Sequence, residues 1–458
     1  MDLLQTFLYI LSLWRPAFTK PQAYMRGREL AVASLCAFGR KTIASLAIYL
    51  GRDKQIPSAD YKFYSCGKWP VDDLFDAILK EALKHVDGDY IVLAADDTKI
   101  RKTGKKIPFT GWGVDPLGPR FQTNLIWSLR CLQISLIIPL HSQEGFAPPR
   151  ALPVRFIPAP AIKKPGKKAD EKQWKEYIKN KALNNLSTLF VKEIKRLRKT
   201  LDIMGFADKK IVITVDNSFC NGCCLSFDDP RIVVIARCKK NAVLCHPETP
   251  GGRRFYSATK FRPEEVRQQD DVPWQKIQAY YGGAWREIRC KEVKRVLWQG
   301  GTRRKELRLI VIAPIPYVRG GRRNYRQPAY LLVNEQEVPL ERVVQGYLDH
   351  WQIEYNHRDE KAVLGVGEAQ VRNRRSVAKQ PAFHVAVYSA LLLANIRAYS
   401  DRDHPDFGER PAWRPLPKRN TIRALIGLMR ATIIENPEMI EKLGLTVPML
   451  ASILRKVA

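Results

Sequence analysis

Long hydrophobic runs are missing from this sequence. A bilayer-spanning helix needs about 20 apolar residues, and the longest run, 383–396, has 14 and includes His384 and Ser389. That run predicts a buried core helix, and no membrane partner is expected. The opening, MDLLQTFLYILSLW, is apolar, yet Asp2 and the absence of basic residues before it speak against a secretion signal. No Gly-x4-Gly-Lys-Ser/Thr loop occurs, so chemistry driven by a nucleoside triphosphate is not indicated. Cysteines are few and unpaired in pattern: nine in all, an odd number. Cys220, Cys223 and Cys224 make one C-x2-C without a second clean pair, and Cys238, Cys245 and His246 follow at no zinc spacing. Reduced thiols in a cytoplasm are the expectation. There is no internal repeat.

Acid is also scarce. Against 77 Lys+Arg stand 46 Asp+Glu, which leaves a net charge of +31. Such a surplus repels itself unless a polyanion neutralises it, so nucleic acid is the leading partner class and a membrane surface the lesser one. The length of 458 residues suggests two to four domains, and 45% hydrophobic residues exclude a disordered chain.

Residues 1–75 read as helical and basic. Within them, 29–38 and 41–50 have helical spacing around Phe38-Gly39-Arg40-Lys41. This outline suits a helix-turn-helix with Arg40, Lys41 and Arg52 on phosphates, or a plain helical hairpin. From residue 76 to 220 the pattern becomes that of an α/β core. YIVLAA at 90–95 is of strand length and runs into Asp96-Asp97-Thr98, and RKTGKK follows at 101–106. Residues 120–140 read as strand. Between 163 and 199 lie 13 Lys/Arg against four acids; the first half reads as a solvated loop and 183–201 as helix. KIVITV at 210–215 repeats the strand-then-acid pattern with Asp216. The segment 221–335 reads as a β-rich insertion, 336–400 as a return to the core by helices, and 401–458 as a Pro/Arg linker with a last helix.

An acid just beyond a buried strand is where function gathers in α/β sheets. Asp96 and Asp216 both stand there, though each alone would suit a helix cap or turn. Two carboxylates beside a DNA path repel it unless divalent metal lies between, and two Mg²⁺ (or Mn²⁺) ions would clamp an in-line phosphoryl transfer. A third carboxylate is wanted. At about 100° per residue, Tyr347, His350, Glu354, Arg358 and Lys361 share one face of the helix near 354, one acid among cations and hydrogen-bonding groups. A solvated charged face is the plain reading. The functional reading gives Glu354 to the metals, His350, Arg358 and Lys361 to phosphates, and Tyr347 to orientation.

The spacing Tyr347-x2-His350-x3-Glu354-x6-Lys361 resembles the Y-x2-R-x3-E-x6-K signature of bacterial insertion-sequence DDE transposases. Asp96-Asp97-Thr98 after a strand is similar to the family's D-x-T, and VITVD with the downstream VIARCKKNAVL to its second motif. His350 stands where the family usually has Arg. The resemblance covers roughly residues 60–400. It implies an RNase H-like catalytic core interrupted by a β-rich insertion, with Asp96, Asp216 and Glu354 catalytic and metal-binding. Asp97 remains open as the first ligand. It implies cleavage at the ends of an insertion sequence and joining of the 3′-OH to target DNA, with at least a dimer on the double-stranded DNA. A catalytically inactive DNA-binding descendant and a nuclease without strand transfer are the rival readings.

The segment 285–327 carries 13 Arg/Lys against three acids, Arg322 and Arg323 among them, with Trp285, Trp298, Tyr317 and Tyr325 interleaved. The resemblance gives this block a role in holding a hairpin or extruded base, with Trp298 or Trp285 as the aromatic, unless they are core residues. Lys102, Lys105 and Lys106 follow the first acid as expected phosphate contacts, or as a solvated turn.

Overall fold

In the computed structural model, residues 2–436 are described apart from 55, 120, 141–147, 249–253, 400–404, 406–412 and 414–418. Much of the expected 401–419 linker and all of the chain after Asn436 therefore lie outside the described residues. Five helices lead: α1 (Leu3–Ser12), α2 (Pro21–Cys36), α3 (Ile43–Tyr49), α4 (Ser58–Ser65) and α5 (Val71–Ala82). Strands β1 (Tyr90–Arg101), β2 (Gly111–Val114), β3 (Leu125–Ile138) and β4 (Arg150–Ala159) follow, then α6 (Glu171–Asn184) and α7 (Leu186–Ile203). Next come β5 (Lys210–Val215), α8 (Gly222–Leu225), β6 (Ile232–Arg237), β7 (Leu244–Pro247), β8 (Tyr256–Phe261) and α9 (Pro263–Gln268). The β-rich stretch continues with β9 (Gln275–Tyr281), β10 (Ala284–Leu297), β11 (Glu306–Ile312), β12 (Pro316–Arg319), β13 (Arg322–Tyr325) and β14 (Ala329–Val333). It closes with α10 (Leu340–Asp349), α11 (Gln352–Ala362), α12 (Arg374–Ala398) and α13 (Ile422–Glu435). The protein is mixed α/β, and none of its described helices is long and apolar enough to cross a membrane.

The chain forms two compact units, Met1–Val86 with Asp97–Lys181 and Glu354–Ala458, and Asp87–Asp96 with Ala182–Ile353. In the first, α12 is the axis. The apolar run predicted as a core helix lies inside it, buried from Pro381 through Asn395, and packs on α1, α4, α5 and β4. Trp69, Phe63 and Phe383 gather around it, with Phe63 and Trp69 stacked 4.8 Å apart. β3 and β4 pair antiparallel from Arg130↔Ala159 to Ile138↔Arg150.

In the second unit β1 and β5, and β5 and β6, run parallel. β14 pairs antiparallel with β6, β11 with β14, and β10 with β11. The block expected as a separate insertion thus continues the β5–β6 sheet, because β14 satisfies the edge of β6 that would otherwise lie open. β5 is buried from Ile211 through Val215, the β-branched and mostly apolar text of a strand covered on both faces. α10 lays Val343 and Val344 into the same core as Val212, Val233 and Ile310.

Three local expectations change. In the helical hairpin at 21–49, Lys41 is buried with its Nζ on Ser34 O and Arg52 is held by Glu29 and Asp60, so those two cations serve the fold, while Arg40 is exposed. The charged segment expected as a loop contains α6, none of whose side chains is buried; Lys and Glu favour helix, and Glu171–Lys175 at 2.8 Å adds an i,i+4 pair. Finally, the helix near 354 is broken. α10 ends at Asp349 and α11 begins at Gln352, so Tyr347 and His350 do not share a continuous helical face with Glu354, Arg358 and Lys361.

Candidate functional site

The register of the parallel strands sets the site. Ala95 is opposite Val215, and Val215 is opposite Ala236. The next residues are Asp96, Asp216 and Arg237, so two carboxylates and a guanidinium stand level across three strands; β5 and β6 end there, whereas β1, expected to end at Asp96, continues to Arg101. Asp216 and Arg237 are exposed. Beside them opens a cavity of about 740 Å³ whose lining includes Asp216, Asn217, Arg237, Lys239, Lys240 and Tyr330. Deeper in it, Glu264 pairs with Arg267 at 2.6 Å and accepts the Tyr330 hydroxyl, which holds its carboxyl below the usual range, Arg267 contributing most. Arg237, Lys239 and Lys240 have no ion pair among the described residues. Sequence reasoning did not assign these three cations; the signal was the text Arg237-Cys238-Lys239-Lys240 directly after an apolar strand.

α10 passes close over this end. A methyl group on Gly346 would lie 3.2 Å from Thr214 Oγ1, so glycine permits the approach. Tyr347 and His350 follow. Burial raises the Tyr347 hydroxyl's pKa, opposed by Arg237 and Arg326. Burial pushes the His350 imidazole down to about 4, with Asp216 and the Thr214 backbone pulling the other way. Its Nδ1 is buried without a hydrogen bond. His350, expected on a phosphate, stands near Asp216.

In the other unit, Glu354, Arg358 and Lys361 are exposed on α11 at spacings of four and three, one helical face. Ligand atoms of Glu354 and His357 lie within 4.8 Å of each other; His357 was not singled out from sequence, although its i+3 spacing from Glu354 was the cue. Arg358 leans on Asp359 at 3.0 Å. Glu360, the next residue, is buried, and burial lifts its carboxyl to about 8. Asp97 is engaged by the Arg130 fork, Nε at 2.5 Å and Nη2 at 2.7 Å.

Lys102 corrects an expectation. Its side chain is buried, and its Nζ donates to Gly367 O at 2.6 Å and Ala369 O at 2.8 Å. It closes the loop after α11 rather than meeting phosphate. Lys105 and Lys106 are exposed. Trp298 is half-buried and lies flat on Gly301, where an added methyl would come within 2.2 Å of its ring; packing, as in a β core, is what it shows. Arg322 and Arg323 are exposed on the β12–β13 hairpin. Among the described residues no cysteine joins two other ligands around a metal-sized point.

No family model matches the chain, and no curated protein matches it.

Proposed function

We propose that the chain is a metal-dependent DNA phosphoryl transferase of the DDE transposase kind, built on an RNase H-like core. The observation that carries this is the register: Asp96 and Asp216 stand one step beyond Ala95↔Val215 on paired parallel strands, in a chain of net charge +31. Carboxylate oxygens are hard donors that suit Mg²⁺ or Mn²⁺ over softer metals, and Asp96, Asp216 and Glu354 are the residues that would hold two such ions. Bound there, the ions would lower the pKa of water and stabilise charge on the attacking and leaving oxygens.

The chain's own residues supply the rest. Asp97 is committed to Arg130, which leaves Asp96 as the first ligand. Arg237, Lys239 and Lys240 line the cavity beside Asp216 and neutralise phosphates of the bound strand. Arg358 and Lys361 share the exposed face of Glu354 and position the duplex. Tyr347 offers its hydroxyl, kept protonated by burial, as a donor to a phosphate oxygen. His350, neutral and hydrogen-bonded to the Thr214 backbone, stands near Asp216 without adding charge. Cleavage at the ends of an insertion sequence frees a 3′-OH, which then attacks target DNA. Two ends must meet, so the working form is at least a homodimer on double-stranded DNA, in the cytoplasm at the nucleoid.

The test is Mg²⁺- and Mn²⁺-dependent cleavage of DNA carrying the gene's own flanks, wild type beside Glu354→Gln. Cleavage at the repeat ends by wild type alone is expected. Binding without cleavage by both would make the chain an inactive DNA-binding descendant. Cleavage without joining would make it a nuclease.

A further inference from the structure

Outside the site above, one exposed surface has a composition that the fold does not account for. β2 is the last strand of its sheet, paired on one side only, with Trp112 opposite Trp127 and Val114 opposite Leu125 on β3. Side chains on a strand alternate between faces, so these four share one. That face is open: Trp112 is 62% exposed, Val114 52% and Leu125 57%. An apolar face on a strand ribbon is normally covered by core; here Trp112, Val114 and Leu125 stay largely exposed, with the Lys105 ammonium beside the indoles.

Its details point to an aromatic platform. Trp112 and Trp127 meet edge to face, centroids 5.6 Å apart at 75°. Trp127 is anchored by its Nε1, which donates to Gly104 O at 3.1 Å. Lys105 Nζ sits 3.9 Å from the Trp112 centroid and 4.5 Å from that of Trp127. Lys106, exposed, is the next residue in the chain after Lys105. In a two-fold dimer burying this face, Lys105 would meet its own copy, and like charges at the centre of a dry interface oppose that pairing. A polyanion with flat apolar groups meets both features at once.

We propose that the Trp112–Trp127 face of β2 and β3 binds unpaired DNA, an exposed base stacking on Trp112 while its flanking phosphates lie on Lys105 and Lys106. The proposal rests on the DNA reading above and extends it to a single-stranded segment. Every base has a π-face, so such stacking tolerates sequence. Cations alone would hold duplex and single strand alike; the exposed indole is what separates them.

The experiment measures the affinity of the full chain, without divalent metal, for a labelled oligo-dT single strand and for a blunt duplex of equal length. Trp112→Ala is expected to weaken single-strand binding about tenfold and duplex binding less than twofold, with Trp112→Phe recovering most of the loss. Thermal unfolding checks that the variants fold. Equal loss on both substrates, or no loss on either, overturns the stacking. A wild-type dimer that Trp112→Ala dissociates would make the face a contact between copies and overturn it too. Wild type that binds duplex but not single strand sinks this inference alone, whereas binding to neither sinks the DNA function with it.

Discussion

Asp97 on β1 takes both nitrogens of the Arg130 guanidinium on β3, at 2.5 and 2.7 Å. Successive side chains on a strand alternate, and the two adjacent acids, Asp96 and Asp97, therefore face opposite sides of β1. Asp96→Asn is expected to lower metal-dependent cleavage by about a thousandfold or more while DNA binding persists. Asp97→Asn is expected to keep cleavage and lose about 1 kcal/mol of stability. Denaturant melts and single-turnover cleavage on both variants decide this; the reverse pattern would exchange the assignments.

Lys102 and Lys106 are near neighbours with different fates. Lys102→Met leaves the carbonyls of Gly367 and Ala369 without their donor, so stability should fall by about 1–3 kcal/mol with the salt dependence of DNA binding unchanged. Lys106→Ala should leave the melting temperature alone and reduce the slope of log K against log salt by about 1. Titrations at several salt concentrations, with parallel melts, check both.

The cavity beside Asp216 makes a similar claim for Arg237, Lys239 and Lys240. Each alanine substitution should weaken binding about equally on all DNA sequences and remove about one unit of salt slope. A change confined to one sequence would mean a base contact instead.

Two buried carboxyls give a pH dependence. Burial raises both Asp349, which accepts from Gln345 at 2.7 Å, and Glu360 to about 8. With folded values above unfolded ones, their neutral forms contribute stability that is fully present below about pH 4 and is lost as pH rises through 8. Asp349→Asn and Glu360→Gln should therefore each be more stable than wild type at pH 8, by on the order of 2 kcal/mol, with the difference shrinking toward pH 5. Chemical denaturation across that range measures it. A gap that widened as pH fell would reverse the sign and refute the burial account.

Gly367 has φ +98°, and a methyl group there would lie 1.9 Å from Ile100 Cγ2. Strain and overlap act together, so Gly367→Ala should cost about 2–4 kcal/mol. A loss below 1 kcal/mol would show that the loop relaxes freely.

Much was legible before any coordinates. YIVLAA and KIVITV are strands because runs of β-branched and apolar residues of that length suit a covered sheet; Asp216 marks the end of β5 as its position suggests, whereas β1 runs past Asp96 to Arg101. The 383–396 run needed only its predominantly apolar text to be read as core. Other features had no local signal. Lys41, Arg52 and Lys102 carry the same charge as Lys106, and only the partners brought to them across the fold, Ser34, Asp60 and Gly367 among them, turn them inward. The break between α10 and α11 at His350 and Trp351 is likewise unmarked, since neither Gly nor Pro stands there.

Local text was enough for the apolar strands, the core helix at 383–396 and the cationic surplus, because hydrophobic period and net charge are sums over neighbouring residues. The tertiary structure alone decided which of those charges face solvent. It also decided that Asp96, Asp216 and Arg237 emerge level with one another, because strand register is set by pairing between separate segments, β1 and β5 lying more than a hundred residues apart.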